Sequence, residues 1–416
     1  MTYSGRRRDP LGGAALARFG FADLDKAARL LGDPGMAEVA DSPTAMADFQ
    51  VAADPDLALL TLSRLVDLQA PTAGLAQTFV ADDEFRRRFL RIIGLSEAFG
   101  GVLLRHPQWW PRLAGAGHRS GSGHPSLAMR TALLTAVGAD PEAAVPVAPA
   151  DGEAALLAMR KEYRRQLLVI ADQDLSGGHP VDVTTELLSD LADSVLEASL
   201  AIARAGVTDH ETCRLAIVAM GKCGARELNY LSDVDVIFVA EPVLGADEQT
   251  ALAAGTALAK RLMNITMAHT EEGTIWEVDA GLRPEGKAGA LVRTLASHLD
   301  YYGRWAKTWE FQALLKARAA AGDRVLGNEF VSETRPLVWS ASRRPDFVSD
   351  VQSMRRRVEQ SIPARHADRE LKLGTGGLRD IEFAVQLLQM VHGSSDITVR
   401  SPTTLIALEQ LATWGY

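Results

Sequence analysis

The feature that most constrains the fold is a change in the hydrophobic pattern at Arg214. Before it, from about Phe21 to Ala205, apolar residues recur at the spacing of amphipathic helices. After it come two short, continuous apolar runs rich in β-forming residues, LAIVAM (215–220) and VDVIFVA (234–240). Runs of this length predict buried central strands. The chain therefore predicts an α+β fold, mainly helical with a compact sheet-containing unit embedded in it.

The remaining elements follow from the same patterns. Long helices are predicted over 153–175 and 184–206, and an alanine-rich helix is predicted from about Asp247 to Met267. A third strand, TIWEV (274–278), follows that helix. Beyond Leu314 the helical pattern returns and continues to Tyr416.

These patterns divide the chain into successive regions. The last region ends in ALEQLATWGY without a capping signal, so we expect the chain to be cut within a helical bundle. The predicted regions are a disordered tail over 1–20, a helical region over 21–207, a mixed α/β domain over 208–325 and an incomplete helical bundle over 326–416, with glycine-, serine- and proline-rich surface loops at 115–124 and 138–152.

Composition narrows the classes of protein that fit. The 416 residues are 47% hydrophobic and 23% charged, which is typical of a folded globular chain. Forty-four basic residues against 53 acidic ones give a net charge of −9, which disfavours nucleic acid as a partner. Two cysteines cannot build a disulfide framework, and no apolar run approaches the ~18 residues that span a membrane. We expect a cytoplasmic protein with no membrane partner.

The candidate chemistry centres on Ser232-Asp233-Val234-Asp235. Two aspartates two residues apart at the start of a strand project to the same face. A third acid, Asp279, ends the next strand-like run and could complete a carboxylate cluster. Neighbouring carboxylates repel one another unless a cation lies between them, which favours a divalent metal site. Taken alone, the Asp-x-Asp pattern is weak evidence, because surface turns often carry it.

Glycine-rich and basic segments surround this motif in the sequence. Gly221-Lys222-Cys223-Gly224 follows the first strand and opens a short helix, where exposed amides and a lysine could meet phosphate. Arg283 and Lys287 lie on a turn after Asp279 and could bind phosphate, but taken alone the segment is better explained as an exposed hairpin with ordinary charges. Cys223 is expected to be a small buried side chain.

Further basic residues are open to two interpretations. Lys316 and Arg318, near the end of a predicted helix, could face nucleotide or inorganic phosphate. Arg160, in the first long helix, could hold a phosphate, but a solvated helix face is the better interpretation. Trp305 and Trp309 are expected to pack in the core. The glycine-rich segment 372–383 enters a helix and could cradle an anion or be a simple turn.

A strand, a glycine turn, an Asp-x-Asp strand and a third aspartate follow the order of the polymerase-β-like nucleotidyltransferase superfamily. More specifically, the chain resembles the glutamine synthetase adenylyltransferase family. Four segments in the same order carry the resemblance: GKCGARELNYLSDVDVIFV, VDAGLRPEGKAGALVRTL, YYGRWAKTWEFQALLKARAAAGD and KLGTGGLRDIEFAVQLLQ. The chain resembles the N-terminal, adenylyl-removing half of the bifunctional family members, because a helical region precedes the catalytic unit and KLGTGGLRDIEF is closer to the pattern of that half than to that of the C-terminal half.

The resemblance implies that residues 208–325 are a nucleotidyltransferase domain acting on glutamine synthetase. It implies phosphorolysis, in which inorganic phosphate attacks the AMP phosphorus of an adenylylated tyrosine and ADP is released. Mg²⁺ is the implied cofactor, with Mn²⁺ as the alternative ion, and a PII-type signal protein is an implied partner. The residues implied are metal ligands Asp233, Asp235 and Asp279, and nucleotide or phosphate contacts Gly221, Lys222, Gly224, Ser232, Arg283 and Lys316.

Three alternatives remain at this point. The same fold could run the ATP-dependent adenylylation of glutamine synthetase and release pyrophosphate. The chain could be a non-catalytic module that binds glutamine synthetase or a PII-type protein, although the three retained aspartates argue against this. A nucleotidyltransferase acting on a small molecule or RNA is the third, and the net charge of −9 disfavours RNA.

Overall fold

A computed structural model describes residues 12–114, 125–360, 362–363, 365 and 369–416. Within this part of the chain the fold separates into two compact units. The first takes in Met1–Ser122 and Arg164–Thr184, and the second takes in Gly123–Tyr163 and Thr185–Tyr416, as far as each is described. The predicted helical region 21–207 therefore contributes to both units.

The first unit is helical. The helix Asp83–Leu95 begins where the Asp82 side chain accepts a hydrogen bond from the Phe85 backbone N–H at 2.9 Å, and Phe85 and Phe89 are buried as their spacing predicts. The buried Arg86 guanidinium contacts Asp48 at 2.6 Å, so this buried cation is paired. Its helices are α1 (Gly13–Arg18), α2 (Leu24–Leu31), α3 (Ala37–Ala40), α4 (Pro43–Asp48), α5 (Pro55–Asp67), α6 (Leu75–Ala81), α7 (Asp83–Leu95), α8 (Glu97–Arg105) and α9 (Trp110–Ala114).

The second unit contains a small mixed sheet and the helices that cover it. Two long helices, Glu153–Leu175 and Val181–Gly206, contribute residues to both units. The elements are α10 (Pro125–Ala136), α11 (Glu153–Leu175), α12 (Val181–Gly206), β1 (Cys213–Ala219), α13 (Gly221–Gly224), β2 (Val234–Pro242), α14 (Glu248–Met267), β3 (Val278–Asp279), β4 (Val292–Arg293), α15 (Leu295–Arg304), α16 (Thr308–Leu314), β5 (Arg318–Gly322), α17 (Arg324–Ser340), α18 (Phe347–Gln360), α19 (Leu378–His392) and α20 (Thr404–Thr413).

The sheet has the strand order β3-β2-β1-β5, with β4 also paired to β2. β1 is antiparallel to both β2 and β5, while β3 and β4 run parallel to β2. β1 and β2 are buried along almost their whole length, as continuous apolar runs require. The α+β fold, both central strands and the helix predicted from about Asp247 to Met267 are confirmed.

Further expectations concern the N-terminal tail, two surface loops and membrane spans. Residues 1–11 of the expected disordered tail lie outside the described residues, but Gly13–Arg18 is a helix with Leu16 buried. The predicted loop at 115–124 also lies outside the described residues, whereas 138–152 lacks helix and strand, as predicted. Among the described residues, helices long and apolar enough to cross a membrane are absent.

One strand prediction and one helix prediction are wrong. Residues 274–277 of the predicted TIWEV strand have no regular structure, and the strand is only Val278–Asp279. Conversely, Arg318–Gly322 forms β5, although its alanine-rich sequence favours a helix. Pairing with β1 overrides that preference, because an edge of the sheet supplies hydrogen-bond partners to an extended chain.

Candidate functional site

The three predicted aspartates meet where β2 and β3 begin to pair. Asp233 directly precedes β2, Asp235 lies within it, and the parallel register places Asp235 opposite Asp279. One carboxylate oxygen from each residue lies within 4.8 Å of the others. Asp233 is exposed and the other two are half-buried, so the cluster opens to solvent on one side.

The electrostatics of this acidic triad favour a bound cation. Burial, together with the charges of Asp233 and Asp279, raises the pKa of Asp235 to about 6. One oxygen of Asp279 accepts a hydrogen bond from the Gly281 N–H at 2.7 Å, which orients the carboxylate. Three converging carboxylate oxygens are hard donors of the kind Mg²⁺ prefers, so the residues present fit a divalent ion.

The turn after β1 lies against the triad. Gly221 has φ +54°, and a Cβ there would lie 2.4 Å from the Asp235 Oδ2. A Cβ on Gly224 would lie 2.0 Å from the Lys316 carbonyl oxygen. Both glycines therefore permit close backbone approach. Gly221 lines the cavity described below, whereas Gly224 is buried.

Three further predicted nucleotide contacts lie in different environments. Ser232 is half-buried and directly precedes Asp233. Lys222 donates a hydrogen bond to the Asn229 Oδ1 at 3.0 Å, and burial lowers the pKa of Lys222. Arg283 closes its own turn, because its guanidinium donates to the carbonyl oxygens of Ala280 (2.7 Å), Lys287 (3.1 Å) and Gly289 (3.2 Å). The structure does not bring Arg283 to the cavity.

Lys316 is 5% exposed and forms an ionic cluster. Its Nζ lies 3.0 Å from Glu227 and 2.7 Å from Glu382, and it donates to the Thr404 hydroxyl at 3.1 Å. Arg379 contacts the other oxygen of Glu382 at 2.9 Å. Lys316 is therefore held between two carboxylates contributed by separate segments.

A cavity of about 270 Å³ lies next to the triad. It joins Asp235, Gly221 and Lys316 to polar residues of α16 and α19 that sequence reasoning did not single out as site residues. Only the glycine-rich segment 372–383 pointed toward Arg379 and Glu382, as possible parts of an anion site. The lining residues are Gly221, Asp235, Leu282, Trp309, Gln312, Ala313, Lys316, Met354, Val358, Arg379, Glu382, Phe383 and Gln386.

Arg318 supports the glycine turn. Its guanidinium makes two contacts with Asp193 and donates to the carbonyl oxygens of Cys223 at 2.9 Å and Gly224 at 3.2 Å. The suggestion that Arg318 faces phosphate is therefore wrong. Cys223 is buried, as expected, and burial raises the pKa of its thiol.

Two further interpretations need correction. Arg160 is buried and not on a solvated face, since its guanidinium donates to the carbonyl oxygens of Ile265 and Ala268, both at 2.6 Å. Trp305 is 74% exposed and does not pack in the core, whereas Trp309 lines the cavity. Helical spacing could not reveal this, because α15 ends at Arg304 and α16 begins at Thr308.

A mixed sheet that gathers three carboxylates beside a glycine turn defines a polymerase-β-like nucleotidyltransferase domain. The chain belongs to the glutamate-ammonia ligase adenylyltransferase family, whose model matches residues 86–333. A second family model, GlnD PII-uridylyltransferase, matches residues 352–416.

Curated relatives carry the name bifunctional glutamine synthetase adenylyltransferase/adenylyl-removing enzyme. The relative from Streptomyces avermitilis is 50% identical over 420 residues, covering 100% of this chain and 40% of the relative. The relative from Mycobacterium avium (strain 104) is 47% identical over 375 residues, covering 88% and 35%. The relative from Bifidobacterium longum (strain NCC 2705) is 44% identical over 412 residues, covering 96% and 38%. The chain thus spans about 40% of the length of these relatives.

Proposed function

We propose that this chain removes AMP from the adenylylated tyrosine of glutamine synthetase by phosphorolysis that depends on a divalent metal. The observation that carries the proposal is the triad of Asp233, Asp235 and Asp279, with oxygens within 4.8 Å of one another, in a member of this family. The names of the relatives include adenylyl removal as one of two activities. Through control of glutamine synthetase, the reaction would regulate nitrogen assimilation.

In this reaction an oxygen of inorganic phosphate forms a bond to the AMP phosphorus. The bond between that phosphorus and the tyrosine oxygen breaks, the tyrosine oxygen takes up a proton, and ADP leaves. Asp233, Asp235 and Asp279 would hold Mg²⁺, or Mn²⁺ as the alternative, which when bound neutralises charge on the phosphoryl oxygens. Gly221 lets the backbone lie against Asp235 in the wall of the cavity, and Lys316 contributes positive charge to the same wall.

Glutamine synthetase is the proposed protein substrate, and a PII-type signal protein is the proposed regulatory partner. The match of residues 352–416 to a PII-uridylyltransferase model is consistent with a link to PII signalling. The cytoplasm, where glutamine synthetase would be met, is the proposed location.

The test is to incubate the chain with adenylylated glutamine synthetase, Mg²⁺ and inorganic phosphate, and to follow ADP release and AMP loss. We expect phosphate-dependent ADP formation, reduced at least about 100-fold in Asp235→Asn. Asp300→Asn, an exposed substitution on α15, is the matched control and should leave the rate unchanged.

Two other outcomes would identify the rival functions. Adenylylation of unmodified glutamine synthetase by ATP, without phosphorolysis, would reverse the proposed direction. Binding of glutamine synthetase or a PII-type protein without turnover in either direction would favour a non-catalytic module.

A further inference from the structure

Two cations, Lys316 and Arg379, are among the described residues that line the cavity beside the acidic triad. The proposed reaction joins an inorganic phosphate to the phosphorus of AMP, so phosphate oxygens must be bound close to Asp235. Charged N–H donors bind such oxygens strongly. Which of the two cations can do so depends on the hydrogen bonds that each already makes within the protein.

Lys316 has no hydrogen-bond donor left for a ligand. An ammonium group carries three N–H bonds. The Lys316 Nζ contacts the Glu382 Oε1 at 2.7 Å, the Glu227 Oε2 at 3.0 Å and the Thr404 hydroxyl at 3.1 Å. A direct contact with phosphate would require the loss of one of these three partners. Lys316 therefore adds positive charge to the wall of the cavity without offering a free N–H group.

The backbone at the start of α19 is occupied as well. The Leu378 and Arg379 N–H groups donate to the carbonyl oxygens of Leu371 and Lys372, both at 2.9 Å. The first two N–H groups of a helix have no partner within the helix and often bind anions, but here the preceding loop takes them up. The glycine-rich segment 372–383 thus enters α19 through a self-contained turn, and these two amides are not free to bind an anion.

Arg379, in contrast, has unused hydrogen-bond donors. A guanidinium group carries five N–H bonds, and among the described residues the hydrogen bond of this side chain is the one from Nη1 to the Glu382 Oε2, at 2.9 Å. The Arg379 side chain is 31% exposed and lines the same cavity as Asp235. The Phe383 ring, whose centroid is 5.9 Å from the Arg379 Cζ, flanks the guanidinium. Nε and Nη2 therefore remain available to a ligand.

The charges of the cavity agree with this arrangement. Burial raises the pKa of Asp235, and the positive charge of Arg379 opposes that rise. Burial also disfavours the charge of Glu382, but Lys316 and Arg379 outweigh it and hold the pKa of Glu382 below its usual value. Glu382 is therefore ionised at neutral pH and anchors the Arg379 guanidinium at the cavity.

We infer that Arg379 binds a phosphate group of the reactants, through the guanidinium N–H groups that Glu382 leaves free. The planar guanidinium can donate two parallel hydrogen bonds to phosphate oxygens, which an ammonium group cannot match. The phosphate is either the inorganic phosphate, which becomes the β-phosphate of ADP, or the phosphate of AMP. The inference rests on the proposed function and names a residue that binds its phosphate.

The test is to titrate ADP into the full chain with Mg²⁺ by calorimetry. We expect Arg379→Gln to bind ADP about 10- to 100-fold more weakly, because charge-assisted hydrogen bonds are lost. Arg379→Lys keeps the charge but not the planar fork, and its affinity should lie between those of wild type and Arg379→Gln. Arg356→Gln is the matched control, since this exposed arginine of α18 donates to the Ser353 hydroxyl at 3.0 Å and does not line the cavity. It should bind ADP as wild type does.

The same titration with AMP separates the two sources of the phosphate. Weaker binding of ADP with unchanged binding of AMP would assign Arg379 to the inorganic phosphate. An equal loss for both nucleotides would assign it to the phosphate of AMP. The unfolding temperature without ligand checks that Arg379→Gln is folded, and Arg379→Lys carries the comparison if it is not.

The outcomes distinguish this inference from the function on which it rests. Wild-type affinity for ADP in the Arg379 variants, with phosphate-dependent ADP release intact, would overturn phosphate binding by Arg379 and leave the proposed function standing. Failure of the wild-type chain both to bind ADP and to form it would count against the proposed function itself, and the inference would fall with it.

Discussion

At the residue scale, the site depends on the close approach of the Gly221 backbone to the Asp235 carboxylate as much as on charge. The carboxylate of Asp235 can lie against the turn after β1 only because residue 221 has no side chain. Sequence spacing predicted the acidic cluster, because alternation along a strand places Asp233 and Asp235 on one face. It could not predict that Gly221 and Asp235 touch, since that contact joins different elements.

Gly221→Ala tests this contact. The added Cβ would lie 2.4 Å from the Asp235 Oδ2, and φ of +54° is unfavourable for alanine. We expect a loss of about 1–2 kcal/mol of unfolding free energy, and a loss of about tenfold or more in Mg²⁺ affinity as Asp235 is displaced. Metal affinity is measured from the rise of the unfolding temperature with Mg²⁺ concentration.

Gly245→Ala is the matched control. Gly245 also has a positive φ, +89°, but a Cβ there would meet nothing within 4 Å. It should lose stability while keeping its Mg²⁺ affinity. Equal metal affinities in the two variants would contradict a role for Gly221 in admitting the Asp235 carboxylate.

At the scale of elements, β5 and α17 are joined to β1 through Asp323. The Asp323 Oδ1 caps α17 by accepting from the Leu326 N–H at 2.9 Å, and Oδ2 pairs with the Arg214 Nε at 2.6 Å. Burial disfavours its charge, but these two hydrogen bonds outweigh burial and lower the pKa of Asp323. The Asp323 side chain thus fixes the end of β5, the strand that secondary-structure propensity did not predict.

Asp323→Ala should reduce the free energy of unfolding by about 1–2 kcal/mol at pH 7, because both the cap and the pair are lost. Asp323→Asn keeps a capping oxygen and should cost less. Because the folded-state pKa is lowered, the charged pair contributes fully above the unfolded pKa of about 4 and is lost as pH falls through the folded value. Urea unfolding from pH 7 to pH 3 measures this.

The advantage of wild type over Asp323→Asn should shrink toward pH 3. A constant difference in unfolding free energy across this pH range would show that the charge of Asp323 does not stabilise the contact of β5 and α17 with β1. If Asp323→Ala and Asp323→Asn lost the same unfolding free energy at pH 7, the cap on α17 would contribute nothing to stability.

At the scale of the whole molecule, the acidic triad belongs to only one of the two compact units. A ligand that binds only the folded state stabilises it by up to about 2.7 kcal/mol at a hundredfold excess over Kd. Metal binding should therefore slow amide hydrogen exchange, by up to about 100-fold, in segments of the second unit whose exchange requires the site to open. β2, β3 and the turn at Gly221–Gly224 are the segments expected to respond.

Hydrogen exchange followed by mass spectrometry, with and without Mg²⁺, measures this effect. Segments α5 and α7 of the first unit provide an internal reference and should exchange at the same rate in both conditions. Asp279→Asn should abolish the difference in the second unit. Slowing confined to the first unit would contradict a metal site at the triad.

The sequence by itself determined those features that depend on the order of neighbouring residues along the chain. Continuous apolar runs predicted β1 and β2, and the spacing of Asp233 and Asp235 predicted a shared face, because strand periodicity is a property of the backbone. It also identified the family through ordered motifs, which comparison with known proteins confirmed.

Only the tertiary structure decided which distant groups meet. The alanine-rich residues of β5 are extended because β1 offers them an open edge, and Arg318 holds the glycine turn instead of phosphate. The hydrogen bond from the Gln312 Nε2 to the Gln386 Oε1 likewise joins α16 to α19. Contacts between segments far apart in sequence depend on how the elements pack, and no local pattern records that packing.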